Sequence, residues 1–479
     1  MPSDKPQKES QASPYKFPPA NDLKAEPLTL EEYRANLNLD MAGVFLGPMP
    51  PLEFLKFLAP AKKSPPKVAT NHFQVMSDCK LEKDMYKPFI DLVAKFHPKF
   101  KIVDTSNSSN AAVGDDWRIK PDPTMYHHDV PTDDGNLTQF DKMELHLEFK
   151  LRASADPFKD PPADLKDRSG WAFESSSTEG SNSRAQLIHY ATEWCSRQHR
   201  VFAFSLFIAG TCMRFIRWDR AGAIVSELFD FHKQPDLLVE FLWRFSHLDR
   251  AGRGFDPTVR LASPAEAMLT REALAAWDPK IETPVVVFTI PGESTDEDGN
   301  TPMREFMAWA SMSYPDGLIG RCTRAYPVYE KATRKLFFVK DSWRAWDLEE
   351  EAKILFELNE HEVEFIPPFT CGGDIDRERN ATMTDLFIPM EDLDSDSDEP
   401  LTDRSRNSAH PQDDHADEPN LKLLPPRRDS PWKCGDNWER VTRRIHHRFA
   451  VAFIGQHLEN FKNSRHLTQV TSHTFTGES

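Results

Sequence analysis

No two cysteines in this sequence stand at C-x-x-C spacing: Cys79, Cys195, Cys212, Cys322, Cys371 and Cys434 are scattered singly along 479 residues. Neither a zinc knuckle nor a disulfide framework is signalled, and a reducing, intracellular setting fits best. Also missing is any apolar run of the length that spans a bilayer, and the opening "MPSDKPQKES" has no apolar core of the kind a secretory leader carries. The expectation is a soluble chain of cytoplasm or nucleus with no membrane partner. Positive charge is in deficit, with 59 Lys and Arg against 76 Asp and Glu and a formal net charge of -17. That balance argues against broad electrostatic binding to nucleic acid or anionic lipid and leaves open only a local basic groove.

What the chain does have is 39% hydrophobic residues, enough to bury sizeable cores in two or three domains. Residues 1–24 are polar and proline-rich and read as a disordered lead. Order is expected from Thr29, where "TLEE" offers a capping box from Thr29 to Glu32. "LEKDMYKPFIDLVAKFHP" spaces Met85, Phe89, Leu92, Val93 and Phe96 as a helix, with Pro88 marking a candidate start and Pro98 the stop. In "MELHLEFK" the alternation puts Met143, Leu145, Leu147 and Phe149 on one face of a strand and Glu144, His146, Glu148 and Lys150 on the other. The segment 154–183 reads as a long loop, followed by a helix in "SRAQLIHYATEWCSRQ". "RVFAFSLFIAG" and "TCMRFIRWDR" form a hairpin about Gly210, and "QPDLLVEFLWRFSHL" a helix with Pro235 in its first turn. Together these predict an α+β fold, with a mixed α/β domain over 25–260.

Within that domain, Pro121-Asp122, then Glu148-Phe149-Lys150, then Gln186 and Tyr190 one helical turn apart form a pattern that resembles the PD-(D/E)XK nuclease superfamily, including the Q-x-x-x-Y helix of some of its branches. The chemistry is coherent: Asp122 and Glu148 offer hard oxygen ligands to a divalent cation such as Mg, and Lys150, on the same strand face as Glu148, can orient an attacking water. Gln186 and Tyr190 share a helix face and can contact a phosphate or brace the strand. The plainer alternative is a solvated charged face beside an ordinary Pro-Asp turn. A nucleic-acid partner follows only if the nuclease alternative holds.

A second resemblance begins at "QHRVFAFSLFIAGTCMRFIRWDRAGAIVSELFDFHKQPDLLVEFLWRF", which is similar to the region preceding the kinase domain in the fungal-type protein kinase family. Its D-R-x-G turn is here Asp219, Arg220, Ala221 and Gly222. Further on, "GLIGRCTRAYPVYEKATRKLFFVKDSWRAWDLEEEAKILFEL" resembles the start of that family's kinase N-lobe. The resemblance implies that Gly320 belongs to a glycine loop over the nucleotide phosphates, that Lys340 is the phosphate-binding lysine, and that Glu351 is its ion-pair partner, with ATP as the cofactor. The alternative for Lys340 is an edge-strand lysine beside an acidic helix. In the glycine-loop register Cys322 and Ala325 stand where the second and third glycines belong, and Pro327 at the valine, so phosphates cannot approach the backbone closely and binding is expected to be weak.

By that resemblance 261–390 is a kinase-like N-lobe and 431–479 the hinge and the start of a C-lobe cut short; between them 391–430 reads, from its acidic, low-complexity composition, as a disordered insert able to recruit a basic protein partner. No H-R-D-x-x-x-x-N or D-F-G motif occurs anywhere in the 479 residues. The expectation is therefore a kinase-like, ATP-binding protein of Ser/Thr type unable to transfer phosphate as it stands. A metal-dependent nuclease and a non-catalytic interaction protein are the alternatives.

Overall fold

A computed structural model describes residues 28–111, 118–132, 137–277, 283–292, 301–315, 317–375, 380–388, 430–435, 438 and 440–455. The lead over 1–24, nearly all of the 391–430 insert and residues 456–479 lie outside the described residues.

The first ordered turn is set locally. Thr29 caps the helix Leu30–Met41, its hydroxyl accepting from the Glu32 amide while the Glu32 carboxylate accepts from the Thr29 amide. The next helix, Glu82–Val93, starts six residues before Pro88 and carries that proline inside it. Proline cannot donate to the Asp84 carbonyl one turn back, and the Cys79 thiol, 3.3 Å away, donates to it instead.

Two sheets organise the molecule. The eight-stranded first sheet runs in the order Phe45–Met49, Gly222–Ser226, Cys212–Asp219, Ala203–Ala209, Met143–Lys150, Thr124–His127 and Phe100–Val103, with Phe229–Asp230 paired beside Cys212–Asp219. Helix Glu82–Val93, strands Phe100–Val103, Thr124–His127 and Met143–Lys150, helix Thr178–Arg197 and strand Ala203–Ala209 follow one another as α-β-β-β-α-β, apart from a two-strand hairpin after the first strand. The three consecutive strands pair antiparallel, and Ala203–Ala209 lies parallel to Met143–Lys150, as a helical crossover requires.

Helices cover both faces of this sheet. Met85, Phe89, Phe241 and Phe245 pack with Leu145, Leu147 and Phe149 in one core, and Leu37, Leu187, Tyr190 and Trp194 pack in the other. Met143 joins the second core rather than the first. The reason is a register shift: Met125 pairs with Leu145 but Tyr126 pairs with Met143, and the bulge turns the strand over at Glu144. Helix Thr178–Arg197 begins within the stretch that reads as loop, because Ser177 accepts from the Gly180 amide and caps it there.

The second sheet is antiparallel throughout, ordered Val259–Leu261, Val286–Pro291, Met303–Ala308, Arg324–Glu330, Lys335–Ala345, Arg444–Val451 and Phe369–Asp374. Helix Glu351–Glu360 links Lys335–Ala345 to Phe369–Asp374. The segment after the insert, read as hinge and C-lobe approach, enters this sheet: Arg444–Val451 pairs on both sides and is buried from Ile445 to Val451. Gly222, at the D-R-x-G turn, passes close beside Val44, since a Cβ there would meet the Val44 carbonyl oxygen at 2.3 Å.

Candidate functional site

Asp122 ends the turn that leads into Thr124–His127. The buried Thr105 hydroxyl fixes that turn by hydrogen-bonding the carbonyls of Pro121 (3.0 Å) and Asp122 (2.5 Å). The Asp122 carboxylate reaches the strand carrying Glu148: one oxygen accepts from the Phe149 amide and the other from the Tyr86 hydroxyl, both at 2.8 Å. Glu148 is fully buried, and the Lys150 ammonium lies 2.5 Å from its Oε1. Tyr190 shares this neighbourhood. Its hydroxyl donates to the Lys120 carbonyl at 2.7 Å and accepts from the Gln186 amide at 3.1 Å, and its ring packs edge-on against His146 at 4.9 Å. Three separate stretches of sequence thus meet beside one strand.

The electrostatics follow from burial. Burial, and then the neighbouring Glu148 carboxylate, push the Asp122 pKa well above the ordinary carboxylate range. For Glu148, burial acts upward, but the Lys150 ammonium and His146 outweigh it and hold the carboxyl low. Burial disfavours the Lys150 ammonium too, yet Glu148 and Asp122 raise its pKa on balance. Two carboxylates compete here for one cation.

Sequence reading missed Glu82 and Tyr86, which a helix more than thirty residues upstream delivers: Tyr86 donates to Asp122 and also contacts Glu82 at 3.2 Å, and Glu82 lies 4.0 Å from Lys150. Their helical spacing of four was the available signal, hidden because nothing in the pattern says which strand end the helix crosses. An open cleft of about 440 Å³ adjoins the cluster, lined by Lys150, Arg152, Glu179, Asn182, Ser183 and Gln186 among others.

Lys340 lies in the middle of Lys335–Ala345, paired across the ladders with Ala325 and Phe449. Its ammonium contacts both Glu351 oxygens at 2.6 and 2.7 Å, and Glu351 opens the helix Glu351–Glu360. Arg321 adds a longer contact to Glu351 at 3.5 Å. Gly320 takes the left-handed φ of +91°, in the connection between Met303–Ala308 and Arg324–Glu330.

That connection is tied to the first sheet's D-R-x-G turn. The Gly320 amide donates to the Arg220 carbonyl at 2.9 Å, and the Arg220 guanidinium donates to the Leu318 carbonyl at 3.0 Å. Cys322, where the glycine-loop register calls for a second glycine, turns its thiol toward the Leu318 carbonyl at 3.2 Å. Asp219 accepts from the amides of Met383 and Thr384. The turn is a junction: its polar groups hold loops of the second sheet.

Among the described residues, three potential ligand atoms lie within 4.8 Å of one another at Glu350, Asp374 and His447, and not in the Asp122–Glu148 cluster. The triplet is already satisfied. Arg344 forks onto both Asp374 oxygens, His447 Nδ1 donates to Asp374, and His447 Nε2 accepts the Ala352 amide, capping the helix that begins with Glu351.

An α+β molecule of two sheets, one carrying a strand lysine clasped by the first glutamate of the following helix, narrows the class to which the chain can belong. The chain belongs to the fungal protein kinase family, whose model matches residues 169–477. Gly320, Lys340 and Glu351 fall inside the matched range, whereas Asp122, Glu148 and Lys150 precede it. No curated protein and no solved structure gives a match. Among the described residues no helix is long and apolar enough to cross a membrane.

Proposed function

We propose that this kinase-like protein keeps a reduced nucleotide site at Lys340, Glu351 and the Gly320 loop, which binds ATP weakly and does not by itself transfer phosphate. The observation that carries the reading is the Lys340–Glu351 pair, held between a sheet strand and the first turn of the next helix. In that position the ammonium can neutralise phosphate charge, and the carboxylate fixes its aim. Weak binding follows from the loop: the Gly320 amide is engaged by Arg220, and Cys322 and Ala325 carry side chains where glycines would admit phosphate. Within these 479 residues transfer lacks its parts, because they contain no H-R-D aspartate to take a hydroxyl proton and no D-F-G aspartate to hold magnesium. The test is nucleotide binding and radiolabelled-ATP transfer by the 479-residue chain beside Lys340→Met. Weak binding that the substitution abolishes, without transfer, is expected. Transfer by the wild type that disappears in Lys340→Met overturns the inactive reading.

A second reading is favoured by the other cluster. The α-β-β-β-α-β order, with Asp122, Glu148, Lys150, Gln186 and Tyr190 brought together, supports a PD-(D/E)XK-like domain acting as a metal-dependent phosphodiester hydrolase. A cation fits the residues present: Glu148 Oε2 is buried without a hydrogen-bond partner, beside a second buried carboxylate. When bound, a divalent ion there polarises a phosphate oxygen and acidifies a water. Glu148 would hold it, Asp122 would add negative charge, and Lys150 would orient the attacking water from the cleft side. Magnesium- or manganese-dependent cleavage of DNA or RNA that vanishes in Glu148→Ala and Lys150→Ala is expected; equal cleavage by wild type and variants marks contamination and removes the reading.

A further inference from the structure

His146 is the residue that neither reading uses. It is fully buried, two positions before Glu148 on the same strand face, and neither ring nitrogen has a hydrogen-bond partner among the described residues. Its Nε2 lies 3.6 Å from Glu148 Oε2, beyond hydrogen-bond reach, and that oxygen is unpartnered as well. A neutral imidazole carries a single N–H; with it on Nδ1, the bare Nε2 faces the carboxylate oxygen, and two buried acceptors so placed are costly unless something positive sits between them. The separation is close to that of two ligands on one small cation, since bonds of about 2.0–2.2 Å place neighbouring ligands roughly 3.0–3.4 Å apart. A shift of a few tenths of an ångström closes the difference.

Asp122 is the worse placed of the two carboxylates. Both its oxygens already accept hydrogen bonds, from the Phe149 amide and the Tyr86 hydroxyl, and no three ligand atoms of this cluster lie within 4.8 Å of one another. We propose that His146 Nε2 and Glu148 Oε2 are the protein's two direct ligands in this site, which makes it a site for a borderline transition-metal ion such as manganese or zinc rather than for magnesium.

The chemistry of the pair supports that choice. Imidazole suits such ions, whereas magnesium prefers an all-oxygen octahedron and keeps its waters. The Tyr190 ring packed edge-on at 4.9 Å steadies the imidazole plane, and Lys150 on Glu148 Oε1 leaves Oε2 as the oxygen that faces His146. Lys150, which contacts Glu148 Oε1, also lines the neighbouring cleft, the side from which an ion and its remaining water ligands would enter.

This inference rests on the hydrolase reading, and manganese serves as the probe because it reports its ligands magnetically. Titration of the full chain with Mn²⁺ is followed by the loss of the free-ion resonance, and pulsed resonance reads nitrogen-14 coupling to the bound ion. Expected are one bound ion with nitrogen coupling, loss of that coupling in His146→Phe, which keeps a ring against Tyr190, and affinity about tenfold or more weaker. Bound manganese without nitrogen coupling in the wild type, or coupling that persists in His146→Phe, overturns the assignment and leaves the hydrolase reading standing. No manganese binding beside magnesium-dependent cleavage that Glu148→Ala abolishes has the same effect. Neither binding nor cleavage removes both. The wild-type spectrum needs no variant, so a His146→Phe chain that fails to fold does not rescue the proposal.

Discussion

Lys150 shows how much one side chain decides. It lies on the cleft, partly exposed, while its partner Glu148 is fully buried. Lys150→Met keeps most of the stem and removes the charge, leaving the buried Glu148 carboxylate beside the buried Asp122. A loss of about 3 kcal/mol in unfolding free energy is expected. Denaturant unfolding checks it, and a loss below about 1 kcal/mol would show that water already screens the pair. The double variant Lys150→Met with Glu148→Gln should recover part of the loss. At this scale the alternation in "MELHLEFK" made Glu148 and Lys150 legible as neighbours on one face. It did not reveal that the face is buried, because a second layer of helix, Thr178–Arg197, covers it. His146 looked like one more member of a polar face, and only its burial made its unpaired nitrogens conspicuous.

At the scale of elements, the helix Thr178–Arg197 joins the two candidate sites. Near its start Asn182, Ser183 and Gln186 line the cleft, and at its end the carbonyls of Cys195 and Gln198 accept from Arg324 at 2.7 and 3.0 Å. Arg324 is buried and opens the strand whose next residue, Ala325, pairs with Lys340. A guanidinium at a helix C-terminus satisfies carbonyls that no further turn can reach and complements the helix dipole. Arg324→Ala leaves two buried carbonyls bare, and a cost of about 3 kcal/mol is expected. Amide exchange should quicken in the last turn of the helix and in 317–322, while the helix start keeps its protection. Uniform quickening along the whole chain would mean that Arg324 acts on global stability alone. The spacing that marks this helix is in the sequence; the partner of its last turn lies more than 120 residues away and carries no local signal.

At the scale of the whole molecule, a buried charge network fastens the second sheet to the chain leaving the first. Arg448 reaches Asp256 at 2.9 Å and Asp341 at 3.0 Å, His446 lies 2.6 Å from Asp341, and Asn380 donates to Asp256 at 3.2 Å. The imidazole of His446 stacks on Trp343 with centroids 4.6 Å apart. Burial works against ionising Asp256, but Arg448 and then His446 outweigh it and hold its pKa down to about 2. Asp341 is pulled well below its usual range by the same two groups, again against burial. A depressed folded pKa contributes stability that is present above the unfolded value and disappears as pH falls through the folded one. Stability should therefore decline between about pH 4 and pH 2, with Asp256 accounting for roughly 2 kcal/mol of it. Urea midpoints measured across that range should flatten in Asp256→Asn. Asp122, whose folded pKa is raised, has the opposite sign and acts at higher pH, so it does not mask the effect. An unchanged slope in Asp256→Asn would assign the acid sensitivity elsewhere.

Sequence by itself determined what short-range physics can determine. The capping box at Thr29, the Gly210 hairpin and the glutamate-rich helix after Lys340 all follow from periodicity and local hydrogen bonding, and they recur in the fold, whereas the strand that reads as ending at Lys340 runs on to Ala345. The kinase resemblance, too, was legible in the order of those elements. Tertiary structure decided everything that depends on which surfaces become interior. It turned a charged strand face into a buried cluster, brought Glu82 and Tyr86 to Asp122, and drew Arg444–Val451 between Lys335–Ala345 and Phe369–Asp374. It also tied the connection through Gly320 to Arg220. Burial changes the cost of a charge or an unpaired polar atom by several kcal/mol. That cost depends on residues scores of positions away, so no window of local sequence contains it.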